Sequence, residues 1–288
     1  MADEYLANKF EVLATKINKL NQFKNVASEV FSAQHEEVVR VHEALPEWSL
    51  KRTEGSSYFL HYQSPSTGSD LLVPPKSYQI KDEIELNSLQ KLKTYQWLLV
   101  DAYEVFEDFV EGAYAYCGLK GLSIWVQPDG WVRDDKKDID AYIKAPFKGK
   151  VRTPHRQLKA FRQGSRHFAQ YETENLIGRN YRVVLVIIEK LRHAIVHFGG
   201  YCEDLQSLQN KVQADLADMD IKAVRKYIDS HFMPHEGNNL VDLFEFPAYD
   251  INGNPNGGYH DPMLGYFRAL VEYAQLIKES IQVHPKFD

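Results

Sequence analysis

Cysteine is scarce: Cys117 and Cys202 are the only two in 288 residues, and neither sits in a CxxC pair or other ligand spacing. This excludes a disulfide framework or a thiolate zinc site as the organising feature, and both thiols are expected to behave as small buried apolar side chains. No apolar run reaches the roughly 18 to 20 residues that a membrane-spanning helix needs. The opening MADEYLANKFEV has neither the basic start nor the hydrophobic stretch of a signal peptide, so a cytoplasmic protein with no membrane partner is expected. A basic excess is missing too. With 34 Lys and Arg against 40 Asp and Glu, the net charge is −6 and exerts no global pull on nucleic acid, so any RNA contact has to be local.

The familiar chemical motifs are absent as well. There is no GxxxxGK[ST] phosphate loop, no GxGxxG after a strand, no HExxH and no GxSxG. Nucleotide hydrolysis, dinucleotide redox chemistry, zinc proteolysis and the common serine-hydrolase arrangement therefore find no support. DINGNPNGG at 250–258 alternates Asp250, Asn252 and Asn254 like a calcium loop, but Pro255 fills the glycine position and the terminal glutamate is missing, so it reads as a loop. Neither an internal repeat nor a low-complexity tract occurs.

What is present is enough apolar material, 44% of residues with 12% aromatic, for a substantial core. Leu6, Phe10, Leu13, Ile17 and Leu20, then Ala27, Phe31, Val38, Val41 and Leu45, recur at helical steps, with Lys24 and Gln34 as breaks. That period predicts a long amphipathic helix over 1–46, ended by Pro46 and suited to packing or dimerisation. Residues 47–81 change character: SSYFLHYQ and DLLVPP around SPSTGS predict a β-rich insertion. The helical period returns over 82–116, with Leu92, Tyr95, Leu99, Tyr103, Phe106 and Val110 on one side. LSIWVQPDGWV predicts a second hairpin near 122–132, and helices resume at Pro154. The run 179–198 is apolar on most of its surface and stops at Gly199 and Gly200. Two shorter helices, a Gly/Asn/Pro-rich loop at 247–262 and a last amphipathic helix follow. The expectation is a mainly α protein, one domain with insertions: a helical core over 82–232, and a loop and C-terminal helix over 233–288 packed on it.

The end of the apolar helix is where chemistry concentrates. EKLRHAIVHFGG puts Arg192, His193 and His197 together, with the two histidines four apart on one face and Arg192 about 140° round the helix from His197. A long arginine can still wrap towards that histidine. An imidazole that titrates near neutrality can move protons, and a permanent planar cation can hold a phosphate. Those are the parts that RNA phosphodiester cleavage needs, since the ribose 2′-OH supplies the nucleophile and neither a metal nor a covalent intermediate is required.

RHAIVH followed by FGG resembles the signature of the HEPN superfamily: Arg192, a polar residue beside it (often Asn in the family, here His193), then His197, near the end of an apolar helix. The preceding TYQWLLVDAYEVFEDFVEGAY resembles the family's earlier helix, whose acidic residue packs near the motif. Glu107 is the best match there, with Glu104 and Asp108 as alternatives, and the resemblance spans roughly residues 85–230. It implies a HEPN-like helical bundle forming a homodimer in which two motifs face one cleft. It also implies metal-independent endoribonuclease activity without a cofactor, in a toxin–antitoxin or antiviral defence setting with an antitoxin or other partner protein. Arg192 and His197 would be catalytic, with His193 and Glu107 supporting them. Other members of the family are non-catalytic binding modules, and fold alone does not decide between the two.

Other readings of the same residues stay open. The histidines can serve structurally at the negative end of the helix dipole, with Arg192 paired to Glu189 or Asp204. Glu189, His193 and His197 form an i, i+4, i+8 stripe that could ligate a metal, completed by His167, His231 or His235. The one distinctly basic stretch, KGKVRTPHRQLKAFRQGSR, offers Lys148, Lys150, Arg152, Arg156, Lys159, Arg162 and Arg166 either as an RNA-contacting surface or as a solvated helix face. Arg162 and His167 repeat the spacing of Arg192 and His197, but in a polar stretch.

Overall fold

The computed structural model describes residues 2–50, 53–54, 60–73, 78–79, 82–131, 138–145, 153–216, 221–249 and 255–283. Along the chain run α1 (Ala2–Ala44), α2 (Glu47–Leu50), β1 (Thr53–Glu54), β2 (Leu60–Gln63), β3 (Asp70–Val73), β4 (Tyr78–Gln79) and α3 (Glu83–Lys120). Then come α4 (Ile139–Ile143), α5 (Pro154–Gly164), α6 (Arg166–Tyr171), α7 (Tyr181–Phe198), β5 (Tyr201–Cys202), α8 (Leu205–Asp215) and α9 (Ile221–Asp229). The chain closes with β6 (Phe232–His235), β7 (Asn238–Val241), β8 (Phe246–Tyr249), β9 (Pro255–His260) and α10 (Pro262–Gln282). The protein is mainly helical. Among the described residues no helix is long and apolar enough to cross a membrane.

Where the sequence suggested one domain with insertions, the chain divides into two compact units, residues 24–94 and residues 1–23 with 95–288. The division falls inside α1 and α3. Both units share these long helices, so no Gly- or Pro-rich linker marks the boundary.

In the 24–94 unit, β2 and β3 pair antiparallel from Leu60 opposite Val73 to Gln63 opposite Asp70, the expected hairpin around SPSTGS. Gln34, one of the two polar breaks in the α1 series, accepts a hydrogen bond from Asn87 of α3 at 3.2 Å. The other break, Lys24, is buried.

The larger unit is built round the second half of α3. Tyr95, Leu99, Tyr103, Phe106 and Val110 of the apolar stripe are all buried, as the period predicts. Leu6, Leu13 and Ile17 of α1 are buried too, and Phe10 meets Phe109 edge to face at 6.2 Å. Tyr273 of α10 stacks on Phe106, Phe168 and Tyr181 at 5.4–5.7 Å, so one ring joins α3, α6, α7 and α10. The C-terminal helix is therefore part of the core.

Three sequence expectations are corrected. The described residues of the 122–132 hairpin, up to Trp131, form turns without strand pairing. Their indoles pack instead, with Trp125, Trp131 and Tyr142 meeting edge to face at 5.4–6.0 Å. The loop expected at 247–262 contains the antiparallel pair β8–β9, and its residues 250–254 lie outside the described ones. The boundary placed at 232/233 falls within a three-stranded antiparallel sheet ordered β5–β7–β6, which spans 201–241.

Candidate functional site

Helix α7 is fixed at both ends. Asn180 caps its start by accepting from the Val183 N–H at 3.1 Å, and Leu185, Ile188, Leu191 and Ile195 bury its inner face. Gly199 and Gly200, with φ of 62° and 89°, end it, and both N–H groups turn back to the Ala194 carbonyl. Gly200 also approaches α3 closely: a Cβ there would lie 2.5 Å from Gln96 Oε1. Buried Gln96 donates to the Val241 carbonyl at 2.8 Å, and the Val241 N–H donates to the Gly200 carbonyl at 2.8 Å. The motif-bearing end of α7 is thus tied to α3 and β7 at once.

Arg192 turns onto α3. Its guanidinium lies 5.5 Å from the centroid of the Tyr103 ring, 3.5 Å from Glu104 Oε1 and 4.0 Å from Glu107 Oε2. Tyr103 donates its hydroxyl to Glu189 Oε1 at 2.9 Å. Burial raises the Tyr103 pKa, and the Glu189 and Glu107 charges add to that, so the hydroxyl remains a donor. Burial also holds the Glu107 carboxyl above its usual range. Arg192 opposes this shift, and the nearby carboxylates of Glu189, Glu104 and Asp108 reinforce it. The Arg192 Nε–H is buried with no hydrogen-bond partner among the described residues.

The histidines face elsewhere. The rings of His193 and His197 lie 4.6 Å apart, both residues are exposed, and His193 meets Phe198 edge to face at 5.6 Å. Partial burial lowers the His193 pKa, helped by the charges of His197, Lys190, Lys211 and Arg192, which favours the neutral ring. The expected wrapping of Arg192 towards His197 is not seen. The arginine is drawn to the α3 carboxylates, and no hydrogen bond joins the two residues. Of the two carboxylates considered as structural partners for Arg192, Glu189 accepts from the Tyr103 hydroxyl and Asp204 caps α8 by accepting from Ser207 N–H at 2.8 Å.

The second Arg-x4-His spacing behaves in the opposite way. Arg162 makes a bidentate pair with buried Glu172 at 2.6 and 2.7 Å, and Tyr273 also donates to that carboxylate. Its place in an RNA-contacting surface is therefore corrected: Arg162 is a core ion pair. His167 packs on Tyr171 at 4.7 Å. Arg156, Lys159 and Arg166 are exposed on α5 and α6, while Lys148, Lys150 and Arg152 lie outside the described residues.

The metal stripe gains nothing from the geometry. Buried His231 packs on Tyr266 and His235 bonds the Tyr201 hydroxyl at 3.2 Å. Among the described residues no group of three or more His, Cys, Asp and Glu is placed to hold a metal ion.

One feature has no counterpart among the sequence motifs. A cavity of about 500 Å³ lies beside His193, walled by α7, α8 and the β5–β7 sheet, with Lys190, Phe198, Tyr201, Lys211 and Asn238 among its lining. The available signal was the pair Glu236–Gly237 between FMPH and NNLV. Both residues have positive φ, 49° and 79°, as a two-residue hairpin turn of the primed type requires.

No family model, no curated protein and no solved structure matches this chain. The chemistry at the end of α7 therefore has to be judged on its own geometry. It offers a guanidinium held by loose contacts on one side of the helix and two imidazoles open to solvent on the other.

Proposed function

We propose that the protein is a metal-independent endoribonuclease of HEPN type, acting as a homodimer. In this reading Arg192 holds the scissile phosphate and the charge that grows on it, and His197 transfers protons. The 2′-hydroxyl loses its proton and attacks phosphorus, the P–O5′ bond breaks, and the leaving oxygen takes up a proton. The products are a 2′,3′-cyclic phosphate and a 5′-hydroxyl. His193, whose neutral form is favoured, orients His197 or hydrogen-bonds the phosphate. Glu107, supported by Glu104, holds Arg192. Two motifs in a dimer would bring two His197 rings to one cleft, one for each proton transfer.

One observation carries this reading: Arg192 is positioned but not spent. Its carboxylate contacts are 3.5 and 4.0 Å, whereas Arg162, with the same spacing to a histidine, is consumed by contacts of 2.6 and 2.7 Å. A guanidinium keeps its fork for a phosphate only when no carboxylate occupies it. Exposed Arg156, Lys159 and Arg166 supply local positive charge for an RNA strand in an otherwise acidic protein. A toxin–antitoxin or antiviral defence setting, with an antitoxin or other partner protein, goes with the same reading.

A HEPN-type scaffold that binds RNA or dimerises without cutting is the second reading, favoured by the carboxylates of Glu104 and Glu107 beside Arg192, which offset its charge. RNA cleavage by the wild type, Arg192→Ala and His197→Ala, each checked for folding by circular dichroism, separates the two. Cleavage lost in both variants supports the enzyme. A wild type inert across varied RNAs supports the scaffold.

A further inference from the structure

The cavity is lined by His193, which supports the proposed chemistry, but by neither Arg192 nor His197, and its lining is that of a ligand site. At about 500 Å³ it falls in the range that holds small organic molecules. Its charges are mixed. Lys190 and Lys211 stand on facing helices, Glu203 and Asp204 lie at the start of α8, and Ser207 and Asn238 add neutral hydrogen-bonding groups. Such a lining suits neither a bare cation nor a simple inorganic anion. It suits a molecule carrying both an anionic group and hydrogen-bond donors.

The apolar part of the lining narrows the chemistry further. Phe198 is 60% exposed, unusual for a phenylalanine, with the His193 ring set edge-on to it at 5.6 Å, so one face of a flat platform is open. Flat heteroaromatic rings stack on such platforms whatever their identity. Lys211 makes no ion pair among the described residues, and it lines the cavity together with His193 and Cys202. A phosphate there would meet Lys211 and Lys190 while its base lies on Phe198. The donors of the ribose or base would then reach Glu203, since Asp204 is engaged in capping α8.

We propose that this cavity binds a nucleoside monophosphate unit, its base on Phe198 and its phosphate on Lys190 and Lys211. The unit could be supplied as a free mononucleotide or as one residue of an RNA strand. The first source is independent of the ribonuclease reading and the second rests on it.

Direct binding tests the site without any demand for cleavage. AMP, CMP, GMP, UMP and a 2′-O-methyl hexanucleotide, which cannot be cut by 2′-OH attack, are titrated into the wild type, Phe198→Ala and Lys211→Glu by calorimetry. Both substitutions lie on exposed side chains. The proposal expects each variant to weaken binding by about tenfold or more. Loss of mononucleotide binding identifies the free source, and loss for the hexanucleotide alone identifies the strand. Alkylation of Cys202 gives a second readout, because Cys202 lines the cavity and the only other cysteine, Cys117, is wholly buried. The ligand that binds should slow it severalfold. The proposal is overturned if no ligand binds, if both variants bind within about twofold of the wild type, or if the bound ligand leaves Cys202 labelling unchanged. None of these outcomes depends on whether Arg192 and His197 cut RNA.

Discussion

Arg192 lies across the ring of Tyr103, 5.5 Å from its centroid. That ring is locked in place by the bond from its own hydroxyl to Glu189, one turn before the arginine on the same helix. The guanidinium is thus placed by a flat apolar surface, with the carboxylates of Glu104 and Glu107 at the margin. A cation held in this way stays available to a phosphate.

Arg192→Ala should therefore cost little stability and much activity. It removes a partly exposed ion pair and a cation–π contact, together worth about 1 kcal/mol, so the unfolding midpoint should move only slightly. Cleavage should fall by about 10²- to 10³-fold or more, as on loss of a group that stabilises transition-state charge. Arg192→Lys should recover stability but little activity, because an ammonium lacks the planar fork. Denaturant unfolding and cleavage rates on the same preparations check both.

Glu107 gives a pH-dependent test of the same corner. Its carboxyl is held above its usual range by burial, so the protonated form is favoured in the folded state. Its contribution to stability is fully present below the unfolded pKa, about 4.3, and is lost as pH rises through the higher folded value. Glu107→Gln should match the wild type near pH 4 and gain on it towards pH 7, read from unfolding curves at both pH values. A wild type that gains on the variant with rising pH would mean that the Arg192 contact outweighs burial.

Gly199 and Gly200 should respond differently to alanine. Gly199 has φ of 62° and open space around a Cβ, so Gly199→Ala should cost about 1 to 2 kcal/mol of backbone strain alone. At Gly200 a Cβ would also strike Gln96 at 2.5 Å, displacing the side chain whose bond to Val241 pins the helix end. Gly200→Ala should therefore lose more stability than Gly199→Ala in chemical denaturation, and should disturb the motif as well.

Among the basic residues, Arg162→Ala strands Glu172, which is only 2% exposed, and should destabilise by about 3 to 5 kcal/mol, lessened by the remaining Tyr273 hydroxyl. Arg156→Ala, Lys159→Ala and Arg166→Ala should leave stability within about 0.5 kcal/mol. Each should instead reduce the dependence of RNA affinity on salt by about one phosphate contact. Anisotropy titrations at several salt concentrations read this out.

The long helices were legible because their apolar period runs for many turns, and the hairpin at 60–73 because turn residues separate two apolar runs. The end of α7 was legible for the same reason; of the three acidic residues considered on α3, Glu104 lies 3.5 Å and Glu107 4.0 Å from Arg192. The β5–β7 sheet was not, because strands of two and four residues are too short to show alternation, and the cavity they wall was lost with them. The expected hairpin at 122–132 has turn residues and aromatics in the right order. Its tryptophans, however, are claimed by Tyr142, and by a close approach to Gly118 that leaves no room for a Cβ. Arg162 could not be separated from its exposed neighbours, because its partner Glu172 is ten residues away and Tyr273, which donates to the same carboxylate, lies in the last helix.

The central claim is cutting by 2′-OH attack without a metal, and the chemistry of the product ends tests it most directly. A defined RNA is cleaved in excess EDTA and the fragments are weighed by mass spectrometry, beside the same RNA methylated at the 2′-oxygen of the cut position. The fragments should end in 2′,3′-cyclic phosphate and begin with 5′-hydroxyl, with none from the methylated strand and none with His197→Ala. Cleavage abolished by EDTA, fragments carrying 5′-phosphate, or cutting of the methylated strand at the same position would contradict that claim.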